Sequence, residues 1–126
     1  MTSEQIVFYV LIGIVLLLYV RKQLLTRSLA NYSGEEAKQK VASGSILLDV
    51  RTAGERKSNS IPKSIHIPVQ ELSARIKELE KYRSREIICY CATGRRSVNA
   101  ALKLKRAGFK VGNLKGGIGT WNFSNL

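Results

Sequence analysis

Cys91 opens the run Cys-Ala-Thr-Gly-Arg-Arg-Ser at residues 91–97. A cysteine followed by small residues, a glycine and two arginines has the makings of a thiolate nucleophile. A strand is predicted to end at Cys91 and a helix to open at Ser97, with Ala92, Thr93, Gly94, Arg95 and Arg96 between them. A short loop feeding a helix N-terminus turns its amides toward one point, and glycine permits the tight or left-handed conformation required. The amides and the helix dipole then make a nest for an anion. If that anion is the Cys91 sulfur, its pKa falls below the free-thiol value of about 8.5. Arg95 and Arg96 add positive charge. The thiolate then exists at neutral pH without a general base. That matters because His66 is the single histidine and lies outside the run.

The bland alternative is that a cysteine at a strand end is core, since free cysteine is among the most buried residue types. Cys89 is read that way. For Cys91 the strand, small loop, glycine, arginines and helix start together favour chemistry. Two chemistries use a thiolate so placed. Cysteine phosphatases carry arginine six positions after the cysteine. Here that position is Ser97, and the last arginine, Arg96, comes one residue sooner. A shorter loop makes a tighter cradle, suited to one terminal sulfur rather than to a phosphate.

The elements that must position this loop are legible in outline. Residues 32–44 read as a helix with a Ser33/Glu36 capping box and Gly44 at its end. Residues 45–51 and 86–91 are continuous apolar strands, the pattern of strands buried on both faces of a parallel sheet. Residues 58–68, with two prolines, read as a loop with a short extended piece. Leu72, Ile76 and Leu79 give residues 70–82 one helical face. Residues 97–108 read as a helix with Val98, Ala101 and Leu102 inward and Gly108 as its stop. Residues 109–114 are a last strand. Strands alternating with helices predict an α/β domain with a central parallel sheet flanked by helices. In such sheets sites form beyond the carboxyl ends of the strands, where Asp49, Arg51 and the 91–96 loop fall.

The first residues are a separate object. Residues 6–20 form an uncharged apolar run of 15 residues, just below the usual lower limit of about 17 for a span. Leu24 and Leu25 extend it, Arg21 and Lys22 can snorkel, and Tyr9 and Tyr19 stand where interfacial aromatics belong. Residues 1–27 are read as a single-pass membrane anchor with a basic juxtamembrane segment, and residues 28–126 as the domain. A cleaved signal peptide and a buried core helix compete. The first is opposed by Glu4 and the lack of early Lys or Arg, although residues 28–30 look cleavage-like. Arg21, Lys22 and Arg27 after the run set the domain on the cytoplasmic side.

The 126 residues leave room for one domain besides this segment. Two cysteines, two positions apart, are too few and too close for a structural disulfide, so reduced thiols are expected. The chain has 21 basic and 9 acidic residues, a net charge of +12. Residues 28–126 keep 18 basic and 8 acidic ones, a net of +10. Such a field draws small anionic substrates, acidic proteins, lipid headgroups or nucleic acid. A nucleic-acid binder is disfavoured, because no basic stretch is interleaved with aromatics. The charge fits anionic donors at the loop, or the domain held against anionic lipid.

Three motifs in register resemble those of the rhodanese family of sulfurtransferases: LLDVRTAGE at 47–55, CATGRRS at 91–97 and LKGGIGTW at 114–121. The likeness runs from about residue 33 to 123, as in a single-domain, membrane-anchored member. It implies an α/β fold and a Cys91 that takes a sulfane sulfur from a donor such as thiosulfate. The persulfide then gives that sulfur to a thiol or cyanide. It implies neither a metal nor an organic cofactor. Asp49 and Arg51 would correspond to the family's pair that supports the site, an ordinary buried ion pair being the alternative. Gly116, Gly117 and Trp121 would shape the sheet edge and lid, Trp121 mainly as core. Where the family often has Gly-His-Ile before its loop proline, this chain has Asn59, Ser60, Ile61 and Pro62. His66 is read as structural. A non-catalytic alternative is a membrane-tethered module whose Cys91 carries sulfur to one dedicated protein acceptor.

Overall fold

The computed structural model of the chain describes residues 1–125, apart from the side chains of residues 25–27 and 125. Leu25 and Arg27, counted above with the end of the anchor, thus lie outside the described side chains. The described residues form helices α1 (Ser3–Arg27), α2 (Gly34–Ala42), α3 (Ala53–Ser58), α4 (Leu72–Arg75) and α5 (Arg95–Arg106). The strands are β1 (Ala30–Tyr32), β2 (Ile46–Asp49), β3 (Ile65–His66), β4 (Ile87–Tyr90) and β5 (Val111–Leu114). They pair in parallel in the order β1-β5-β4-β2-β3.

The apolar runs of β2 and β4 lie in the middle of the sheet and are covered on both faces. Along β4, Ile87 and Cys89 enter a core with Leu48, Val50, Ala101 and Leu104. Ile88 and Tyr90 enter the opposite one with Ala37, Leu47, Leu114 and Trp121. The alternation follows from the two-residue period of a strand. Helix α5 buries Ala101 and Leu102 as expected, and its stripe is widened by Ala100 and Leu104, while Val98 is half-buried. Helix α2 is capped by Ser33 and Glu36 as the sequence indicates. Gly44 and Gly108, which follow α2 and α5, have φ of +110° and +92°.

Three expectations need correction. The stretch 70–82 is α-helical only at Leu72–Arg75, and the rest is 3-10 helix. Leu72 and Leu79 are buried all the same. Ile76 and Leu79 are three apart, the repeat that a 3-10 helix aligns. Helix α3 was not anticipated, although Thr52 and Glu55 form a second capping box at its start. Strand β1 was also missed, since three residues at a sheet edge carry no readable period.

Helix α1 stands apart from both cores. Its segment Ser3–Leu24 is long and apolar enough to cross a membrane, and none of it is buried.

The two cores are joined by a buried charge cluster at the carboxyl end of β2. Asp49 and Arg51 are 0% and 3% exposed. The Arg51 guanidinium donates to both Asp49 oxygens, from Nε at 3.0 Å and from a terminal nitrogen at 2.9 Å. The Arg51 amide donates to the same carboxylate. Arg56 from α3 reaches it at 3.2 Å, and the Tyr90 hydroxyl donates to it at 3.2 Å. Arg51 also donates to the Asn59 side chain and carbonyl. Burial pushes the Asp49 carboxyl up, but the Arg51 and Tyr90 donors outweigh it and hold it below the usual carboxylate range.

Removing one member of such a pair leaves a buried charge unpaired. Asp49→Ala should therefore lower the unfolding free energy by about 3–5 kcal/mol in chemical denaturation at neutral pH. The folded-state pKa of Asp49 is depressed, so its stabilisation is present above its unfolded value of about 3.9. It is lost as pH falls through the folded value. The gap between wild type and Asp49→Ala should narrow over that acid window.

Candidate active site

The loop after β4 is built around the Cys91 sulfur. Tyr90 is the last strand residue, and α5 opens with Arg95 rather than at Ser97, with Gly94 as its N-cap at φ +99°. The left-handed glycine turns the chain so that its own amide points back: Gly94 N–H donates to Cys91 Sγ at 3.0 Å. The Ser97 amide, one turn into the helix, donates at 3.4 Å. The Ser97 hydroxyl lies 3.4 Å from the sulfur. Cys91 itself is buried. Burial opposes its thiolate, yet the Ser97 hydroxyl and the amides of Ser97, Thr93 and Gly94 outweigh that and lower the thiol pKa. Cys89, two residues back, shows the reverse. Burial, with the Cys91 charge adding to it, pushes its thiol up to about 12.

Ser97 was expected only to open the helix, and its contact with the sulfur was missed. Its hydroxyl donates to Asn113 Oδ1 at 2.6 Å. Asn113 is a buried polar residue in β5, and its amide nitrogen donates to Asn31 of β1 at 3.0 Å. A line of polar side chains thus crosses two strands to fix the serine. A lone asparagine in an otherwise apolar strand was the available signal.

The two arginines of the loop part company. Arg95 is exposed and makes no hydrogen bond or ion pair among the described residues. Arg96 grips both oxygens of Glu55 at 2.7 and 2.8 Å. That grip lowers the Glu55 pKa to about 2. Glu55 also closes the cap of α3, so one carboxylate joins the starts of α3 and α5. Thr93 is exposed and Ala92 half-buried.

The third motif lies behind the loop. Ile118 N–H donates to the Cys91 carbonyl at 2.9 Å. A Cβ on Gly117, at φ +77°, would overlap the Cys91 and Ala92 carbonyls. Gly116 N would lie 3.3 Å from a Cβ on Gly94. This segment follows β5, which lies between β1 and β4, so it backs the loop from within the sheet and not from an edge as expected. Trp121 is core.

Asp49 and Arg51 make no hydrogen bond to residues 91–97 among the described residues. Their link to the loop is Tyr90, the neighbour of Cys91. His66 Nε2 lies 2.7 Å from the Arg51 carbonyl, a structural contact.

A sulfur atom held by amides at a helix start, in a parallel sheet with helices on both faces, is a site suited to a thiolate. The sequence comparisons agree. The family model of the rhodanese-like domain matches residues 33–124. The chain is 35% identical over 77 residues to a sulfurtransferase of Allochromatium vinosum, covering 60% of this chain and 70% of that protein. A rhodanese-related protein of Thermoplasma volcanium superposes with a TM-score of 0.67 at 32% identity, over 73% of this chain and 89% of the other. The thiosulfate sulfurtransferase of Pseudomonas aeruginosa superposes with a TM-score of 0.65 at 29% identity, over 73% of this chain but only 18% of that longer chain. The chain belongs to the rhodanese-like domain family, among its sulfurtransferases and sulfur carriers.

The role of the serine can be measured. Ser97→Ala keeps the amides but removes the hydroxyl, whose single proton can turn from Asn113 Oδ1 to the sulfur 3.4 Å away once the sulfur is charged, the stronger form of the bond. In a Cys89→Ser background, the pH midpoint of Cys91 alkylation should lie below the ordinary thiol value. Ser97→Ala should move it upward. An unmoved midpoint would assign the lowering to the amides alone.

Proposed function

We propose that the protein is a sulfurtransferase that carries a sulfane sulfur on Cys91 as a persulfide. The observation that supports this best is the set of amides and the hydroxyl around the Cys91 sulfur. They stabilise a thiolate at the start of α5. An anionic donor such as thiosulfate is drawn by Arg95, the loop arginine with its charge uncommitted, and by the basic domain as a whole. The Cys91 thiolate attacks the sulfane sulfur. The new Cys91 S–S bond forms as the donor's S–S bond breaks, and sulfite leaves with the bonding pair. A thiolate or cyanide then attacks the outer sulfur, and Cys91 leaves as the thiolate that began the cycle. The cradle keeps Cys91 ionised for the first attack, and its preorganised donors stabilise the charge that develops on the sulfur as it leaves in the second step. No base is required, and His66 is held by the Arg51 carbonyl. Ala92, Thr93, Gly94, Arg95 and Arg96 make up the loop. Asp49 and Arg51 hold the strand ends beneath it.

Residues 1–27 anchor the domain, residues 28–126, to a membrane. The exposed apolar segment of α1 supports a span, and Leu29 in the core supports a domain that begins close behind it. The basic residues Arg21 and Lys22 favour a cytoplasmic domain.

Full-length protein in detergent, treated with thiosulfate, should gain the mass of one sulfur. Cyanide should remove it as thiocyanate. Cys91→Ser should gain nothing, and Cys89→Ser should behave as wild type. A folded wild-type protein that never gains sulfur would overturn the reading, and loading with almost no turnover would favour a carrier with a dedicated acceptor. For orientation, protease added outside intact cells should spare the domain, and its digestion there would refute the cytoplasmic side.

A further inference from the structure

A parallel sheet has two unlike edges, and in this chain they face different surroundings. Strand β1 starts at Ala30, directly after α1. All strands run the same way as β1, so the beginnings of β4 and β5 share the side from which α1 departs. Cys91, past the far end of β4, lies on the opposite side. The near side also receives the C-terminal end of α5, because a crossover helix runs back against the strands. This basal side is strongly cationic. Arg85 precedes β4, Lys110 precedes β5, and Lys103 and Arg106 lie in the last turn of α5. Arg85, Arg106 and Lys110 are exposed, and their side chains make no hydrogen bond or ion pair among the described residues.

The acids on this side are fewer than the cations, and each has another partner, although Glu86 also lines clefts with Arg85 and Lys110. Glu80 is paired with Arg83, and Glu86 with Lys40 and the Tyr32 hydroxyl. A cleft of about 410 Å³ between α1 and α5 is lined by Leu18, Arg21, Lys22 and Arg106. It brings the Arg106 charge of the domain together with the basic end of α1. Leu18 lies two residues from the end of the apolar run, so the cleft sits at the depth where headgroups meet acyl chains.

We infer that the basal face rests on anionic lipid headgroups, with Arg85, Lys103, Arg106 and Lys110 as its contacts. The inference rests on the reading of α1 as a membrane span. Each Lys or Arg brought to an anionic surface strengthens association by about five-fold. Tethering by α1 supplies the proximity, so a few such contacts suffice to hold the domain. Held so, it points the Cys91 loop away from the bilayer, toward donors and acceptors in the aqueous phase.

The test uses the full chain in nanodiscs of phosphatidylcholine alone or with phosphatidylglycerol. Lysine acetylation is read residue by residue by mass spectrometry. Lys103 and Lys110 should react at least about five-fold more slowly in the anionic discs, the effect of one cation at the headgroups. Lys57 and Lys115, which follow the far ends of the strands, should react alike in both. Raising salt to about 1 M, where the Debye length is about 3 Å, should remove the protection. Arg106→Glu with Arg85→Glu should remove it at low salt, with circular dichroism checking that the pair of changes leaves the domain folded. Equal reactivity of Lys103 and Lys110 in the two disc types overturns the inference while the span stands. A chain that enters discs of neither composition overturns the span reading, and this inference with it.

Discussion

The carboxylate of Asp49 is the point on which the site's geometry depends. It is buried without exposure at the end of β2 and is stabilised only because four groups converge on it: the Arg51 side chain and amide, Arg56 and the Tyr90 hydroxyl. An unpaired charge there would cost several kcal/mol, so the segments that supply the donors cannot wander independently. They are the start of the β2–α3 connection, α3 itself and the end of β4. Tyr90 immediately precedes Cys91, and its hydroxyl also meets the Ile61 amide and Ser64. The loop that bears the nucleophile therefore starts from a backbone position fixed from outside the loop.

From that fixed start, the loop is held on three further sides. The Asn31–Asn113–Ser97 line fixes it from the sheet. Glu55 fixes α5 against α3 through Arg96. Gly117 allows the chain after β5 to lie against the Cys91 and Ala92 carbonyls, where any side chain would collide. The consequence is electrostatic. Donors already aimed at the sulfur need no reorganisation when its charge appears, and preorganisation of this kind is what a buried thiolate needs. The contrast with Cys89 makes the point, since the same side chain two residues away has no donors and becomes a far weaker acid.

The parallel sheet separates two kinds of electrostatics as well. Its carboxyl edge gathers amides and helix starts around a sulfur. Its other edge gathers helix ends and lysines and arginines, which the negative end of a helix dipole favours. In α5 one helix supplies both, with Gly94 and Ser97 at the sulfur and Lys103 and Arg106 at the far end.

What the sequence determined by itself was whatever depends on near neighbours. The two central strands were legible because burial on both faces leaves an unbroken apolar run. Helix α2 was legible from its capping box, and the thiolate loop from residue types within seven positions. The box at Thr52 and Glu55 was equally local, and α3 was missed only because its six residues bury nothing and show no apolar stripe. The tertiary structure decided what no short window contains. Glu55 and Arg96 are 41 positions apart, Ser97 and Asn113 are 16, and Asn31 and Asn113 are 82. It also decided that Arg96 serves Glu55 while Arg95 stays free for solvent, a distinction invisible in two adjacent identical residues. A helix turns its residues by about 100° each. Which of two neighbours faces a partner is therefore settled by how the helix packs, and not by the residues themselves.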